Sequence, residues 1–107
     1  MIVKSKKRTL RVTECKNLIS QFLGLMFRNI KDDGLIFEFK KEIPVSLHMF
    51  FVFYKIDIVY LDKDKKVIKI LKNIKPFTPY IPAVVCKYIL ELKSSKNISL
   101  SEKLKFS

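Results

Sequence analysis

Four polar side chains stand among apolar neighbours in this chain and have the chemistry to build a site. Arg28 follows a segment of helical periodicity, His48 and Asp57 interrupt the run Leu47–Asp62 (LHMFFVFYKIDIVYLD), and Glu91 lies inside YILEL at Tyr88–Leu92. Taking a polar group out of water without a partner costs roughly 2–7 kcal/mol, so each needs a partner or a task. If they converge, Arg28 can hold an anion or a sugar hydroxyl while Asp57 and His48 orient it, as in a small-ligand pocket. The plainer arrangement pairs Arg28 with Asp57 or Glu91, locking a helix to a sheet, with His48 bonded to backbone.

Catalytic and metal chemistry find less support. Ser46 shares a strand face with His48, but no nucleophile elbow or oxyanion donor accompanies the pair, so no catalytic residue is assigned. One histidine with Asp57 and Glu91 makes a thin, oxygen-rich ligand set, and no metal or cofactor is expected. With only Gly24 and Gly34 in the chain, no glycine-rich phosphate loop can form. The segment Lys75–Pro82 (KPFTPYIP) offers Phe77 and Tyr80 on a proline-stiffened loop, a suitable rim for a ligand site.

Charge suggests a second class of partner. The chain carries a formal net charge of +12, which invites binding to phosphates through counterion release. Nineteen of the 22 basic residues are lysines, whereas base and phosphate readers favour the bidentate guanidinium. Surface solvation explains most of the charge; only Lys4, Lys6, Lys7, Arg8 and Arg11 are dense enough for a local nucleic-acid-binding patch.

These residues must be positioned by a single domain, residues 1–107, long enough to bury about 60–70% of its unfolded surface. Hydrophobic residues make up 49% of it, with nine Phe and four Tyr, which is the composition of a folded core. Residues 2–12 read as one edge strand guarded by lysines. Cys15, Leu18, Ile19, Phe22 and Leu23 form an apolar stripe at helical spacing, with Thr13 as N-cap and Gly24 as stop. Leu35–Phe39 alternates as a strand, and Pro44 opens a second, Val45–Tyr54. Ile56–Leu61 and Lys66–Leu71 flank the polar turn Asp62–Lys65 as a hairpin. Asn73–Pro82 reads as an irregular loop, Ala83–Leu92 as a strand and Leu104–Phe106 as a closing strand. The expected architecture is mainly β, an antiparallel β-sandwich or barrel with one short N-terminal α-helix.

The two cysteines, Cys15 and Cys86, are far apart and apolar in setting, so buried reduced thiols are expected. With no secretory signal or membrane span in view, the expected location is cytoplasmic.

Gly24-Leu25-Met26-Phe27-Arg28 after the helix, Gly34–Phe39 (GLIFEF), His48-Met49 ahead of Ile56-Asp57 and Leu61-Asp62, and Leu90-Glu91-Leu92 form a series. In that order and spacing they resemble the small family known as domain of unknown function 192, in its archaeal form, over about residues 13–92. The resemblance implies a compact, mostly β domain of sandwich or barrel type and no established biochemical activity. After the LEL motif the family carries a glycine-containing turn and a Gly-Asp step. This chain has Lys93-Ser94-Ser95-Lys96 and Leu100-Ser101-Glu102-Lys103, without the residues that most easily take positive φ. A remodelled C-terminal turn is therefore expected. A family proline before the Ile-Asp pair is Lys55 here. Together these features point to a non-enzymatic binding module for a small polar or anionic ligand or a protein partner, with nucleic acid as the alternative.

Overall fold

The computed structural model describes residues 1–15, 33–47, 55–76, 78 and 80–107. These hold seven strands: β1 (Ile2–Lys4), β2 (Thr9–Cys15), β3 (Gly34–Leu47), β4 (Ile56–Leu61), β5 (Val67–Ile74), β6 (Ile81–Leu92) and β7 (Lys105–Phe106). They make one sheet in the order β5-β4-β6-β3-β2-β1-β7. The sheet is mixed, not wholly antiparallel, because β2 and β3 run parallel from Val12↔Gly34 to Cys15↔Phe37. The segment before β7 returns to the β5 end of the sheet: Val67 N donates to Glu102 O at 2.8 Å, Leu104 N to Lys65 O at 2.9 Å, and Lys66 bridges Lys103. Backbone hydrogen bonds therefore join the two ends of the strand order.

Strand β4 explains the apolar run around Asp57. All six of its residues are buried, since both faces of the sheet are covered. Ile56, Ile58 and Tyr60 join Leu35, Phe37, Ile81, Cys86 and Ile89 in one core cluster. Val59 and Leu61 join Val3, Leu10, Val12, Ile36, Leu90, Leu92, Ile98 and Leu104 in the other. The expected hairpin is present, with antiparallel β4 and β5. Its turn is held by Asp62, whose Oδ1 accepts the amides of Asp64 at 2.9 Å and Lys66 at 3.0 Å.

Other expectations need correction. Residues 2–12 are not one strand: Ser5 N donates to Arg8 O at 2.8 Å and its hydroxyl also bonds that carbonyl, turning the chain at Lys6-Lys7 into the β1–β2 hairpin. The turn displaces β2 toward the C-terminus, so Thr13, Glu14 and Cys15 pair with β3 as strand and Thr13 is not a helix cap. The described residues contain no helix; the stretch from 16 to 24 on which one was expected lies outside them. Pro44 does not open a new strand but sits within β3, opposite Val85. Among the described residues β6 alone flanks that part of β3, so the missing proline N–H breaks no second ladder. The remainder of the expected Val45–Tyr54 strand, from 48 onward, lies outside the described residues. Asn73 and Ile74 belong to β5 rather than to the loop, and β6 begins at Ile81, taking Pro82 into the strand.

Gly34 is where β3 starts, and space is what it supplies. Its ladder partner is Leu92, and a Cβ there would run into the Glu91 carbonyl oxygen and come within 2.9 Å of the Leu92 side chain.

Candidate functional site

Asp57 and Glu91, two of the four residues that could converge, are held apart by parity. In the β4–β6 ladder Asp57 faces Leu92 and Ile58 faces Glu91. Side chains alternate across a strand, so the two carboxyl groups point to opposite sides of the sheet. Arg28, His48 and Phe77 lie outside the described residues. Tyr80 is 63% exposed, whereas both carboxyls are buried.

Asp57 is buried and saturated. Its Oδ1 accepts the Asn73 amide at 2.8 Å; its Oδ2 accepts both the amide and the hydroxyl of Ser95 at 2.7 Å. Burial pushes its pKa up, but the Asn73 and Ser95 hydrogen bonds and the nearby Lys72 charge outweigh it and hold the carboxyl below the usual aspartate value. Asp57 thereby ties the end of β5, where Asn73 has φ 55°, to the turn after β6.

Glu91 lies in the opposite environment. It is 5% exposed, and among the described residues Oε2 has no hydrogen-bond partner; the same is true of the fully buried Tyr60 hydroxyl. Burial pushes the Glu91 carboxyl up to about 8. Burial, then the Cys86 thiol and Glu91, push the Tyr60 phenol up to about 12. Cys86 is a free, buried thiol raised to about 11 by burial and the Glu42 carboxylate. All three groups hold their protons at neutral pH.

The basic residues divide into those the fold consumes and those it leaves outward. The Arg8 guanidinium donates to the carbonyls of Ser94 at 2.7 Å and Lys96 at 3.0 Å, and lies 3.8 Å from Asp33, so it clamps the turn after β6. The Arg11 backbone N–H bonds Asp33 Oδ2 at 2.8 Å while its side chain stays exposed. Lys4 stands directly opposite Lys105 across β1 and β7, with Lys66 opposite Lys103 nearby, and all four are exposed. The Lys6-Lys7 turn is seated beside them, because the Lys6 amide donates to Glu102 Oε1 at 2.6 Å. A surface pocket of about 230 Å³ opens there, lined by Lys6, Lys7, Asn97 and Ser99–Glu102. Lys103 and Lys105 were not singled out from sequence. Their signal is the alternation Lys103-Leu104-Lys105-Phe106, in which Leu104 is buried and Phe106 packs against the core.

Among the described residues no group of three or more His, Cys, Asp or Glu could hold a metal, and no helix is long and apolar enough to cross a membrane.

Known proteins place this geometry in a family. A UPF0127 protein of Thermococcus sibiricus is 34% identical over 90 residues, 82% of this chain and 58% of its own length. The chain thus spans little more than half of that relative. A UPF0127 protein of Pyrococcus furiosus is 37% identical over 92 residues, covering 84% of this chain and 78% of its own. The crystal structure of a protein of unknown function from Novosphingobium aromaticivorans matches the fold with a TM-score of 0.83 at 23% identity, over 98% of this chain and 82% of that one. The family model described as Uncharacterized ACR, COG1430 matches residues 1–100, taking in the β1–β2 hairpin and the turn after β6 as well as the core that the motifs suggested, and the chain belongs to this family, DUF192.

Proposed function

We propose that this domain is a non-enzymatic binding module whose partner is a nucleic-acid backbone, gripped by the outward lysines of β1, β7 and the neighbouring turns. The carrying observation is the register: Lys4 opposite Lys105, and Lys66 opposite Lys103. Like charges directly opposite in a sheet are destabilising, and a polyanion that neutralises them gains both counterion release and relief of that repulsion. No exposed aromatic ring belongs to this group of residues, so backbone contact without base reading is the mode it supports. The small-ligand reading draws less from the geometry, because Asp57 already accepts three hydrogen bonds.

The test is binding to fluorescent single- and double-stranded DNA across a salt series. A log-linear fall of affinity with salt is expected, with a slope reduced by about one for each of Lys4→Ala and Lys105→Ala. Absence of binding at low salt sinks the reading.

A further inference from the structure

One carboxylate sews two stretches of chain together beside the lysine surface. Glu102 is 9% exposed; its Oε1 accepts the Lys6 amide at 2.6 Å and its Oε2 the Ser99 amide at 3.1 Å. The backbone there is fixed as well, with Ser101 N donating to Val67 O at 2.8 Å and Glu102 N to Ser99 O at 3.3 Å. The pocket of about 230 Å³ is lined by the Lys6-Lys7 turn and by residues within 97–102. Its walls are therefore held in place without a ligand, which lowers the ordering cost of filling it.

The lining residues decide what the pocket can take. Leu100 is the one apolar residue among them, which gives no platform for a base or other ring. Glu102 is the one acid, and both of its oxygens already accept amides, so a cation is poorly served. Lys6 and Lys7 are exposed, and among the described residues neither ammonium has a partner. The segments 4–8 and 96–105 together contain seven Lys or Arg and one acid. An anion fits this setting. Two ammonium groups, with the carboxamide of Asn97 and the hydroxyls of Ser99 and Ser101, offer more donors than the two unesterified oxygens of a backbone phosphodiester accept. A terminal phosphate, with three strongly accepting oxygens and nearly two negative charges, matches them better.

We propose that this pocket holds the terminal phosphate of a phosphate monoester, a group presented alike by the phosphorylated end of a nucleic-acid strand and by a small phosphorylated metabolite. The pocket adjoins the lysine surface of β1 and β7 but takes a phosphate whether or not a strand runs on over that surface, so the two readings fail separately.

Titration of the full chain with inorganic phosphate and, separately, with chloride at equal ionic strength, followed by amide NMR shifts, tests the site. Phosphate is expected to give saturable shifts at residues 6–7 and 97–102, and chloride none. Lys6→Ala keeps the backbone amide that bonds Glu102, and Lys7→Ala likewise removes only an exposed side chain. Each is expected to weaken phosphate binding about three-fold, the size of one exposed charge pair. Spectra of the free variants establish that they are folded. Single-stranded DNA with a 5′-phosphate or a 5′-hydroxyl separates the two sources: tighter binding of the phosphorylated strand assigns a strand end, and equal binding with the phosphate shifts intact assigns a small metabolite. Phosphate shifts that are absent, that chloride reproduces, or whose titration is unchanged in both lysine variants overturn the proposal. Any of these with salt-sensitive DNA binding intact leaves the lysine surface standing, and phosphate binding without DNA binding does the reverse.

Discussion

Asp57 and Glu91 occupy opposite faces of one sheet, one carboxyl wrapped in hydrogen-bond donors and the other in hydrocarbon. The same ladder thus holds one acid that folding makes stronger and one that folding makes weaker, and their effects on stability run in opposite directions with pH.

Asp57→Ala should destabilise the fold by about 2–4 kcal/mol, because it strands the buried Ser95 amide and hydroxyl and the part-buried Asn73 amide. The folded pKa lies below the ordinary value of 3.8 that the unfolded chain has, so the Asp57 contribution is complete above that pH and lost as pH falls through the lower folded value. Urea unfolding of the wild type and the variant should show a gap at pH 6 that narrows in acid. A constant gap down to acid pH would contradict the assignment.

Glu91 acts in the other sense. Its carboxyl titrates at 4.5 when unfolded and about 8 when folded. Between those values the folded state holds a proton that the unfolded state has released, so stability falls with rising pH, by up to about 1.4 kcal/mol per unit, and levels off above 8. Melting temperatures of the wild type should decline from pH 5 to 8, and those of Glu91→Gln should lack that decline. Parallel profiles for the two proteins would refute it.

Lys105→Glu should separate stability from binding. It places opposite charges on the Lys4 and Lys105 positions, worth about 0.2–1 kcal/mol in cross-strand attraction. The melting temperature should rise slightly while DNA affinity falls and its salt dependence flattens. A variant that binds DNA as tightly as the wild type would remove β7 from the interface.

Ser101→Gly should stabilise. Ser101 has φ 67°, a left-handed conformation that costs an L-residue about 1–2 kcal/mol, against about 0.5–1 kcal/mol of extra chain entropy for glycine. A gain of roughly 0.5–1 kcal/mol by thermal or urea unfolding is expected from these costs. A loss of stability would mean that the serine side chain contributes something its backbone strain does not reveal.

Much of this could be read in advance at particular residues. The β4–β5 hairpin was legible because Asp62 supplies an Asx turn between apolar strands. The need of Asp57 for partners was legible from the apolar run around it, but not their identity: they are the Asn73 amide and the amide and hydroxyl of Ser95, which only chain packing brings close. The glycine-free turn after β6 does use positive φ, at Asn97 (67°) as well as Ser101, so the backbone shape is kept with residues less suited to it. The β1–β2 hairpin escaped notice because its turn uses Ser5 and no glycine or proline, and the flanking apolar positions suit one strand as well as two.

By itself the sequence determined strand content, the apolar faces, the positive charge and the family. These follow from local periodicity, side-chain chemistry and motif order. Only the tertiary structure decided that β2 runs parallel to β3, that Lys4 meets Lys105, and that Asp57 and Glu91 part company. Each depends on which residues lie opposite each other across strands distant in sequence. A shift of one residue in that register sends every side chain to the other face, and no local pattern records it.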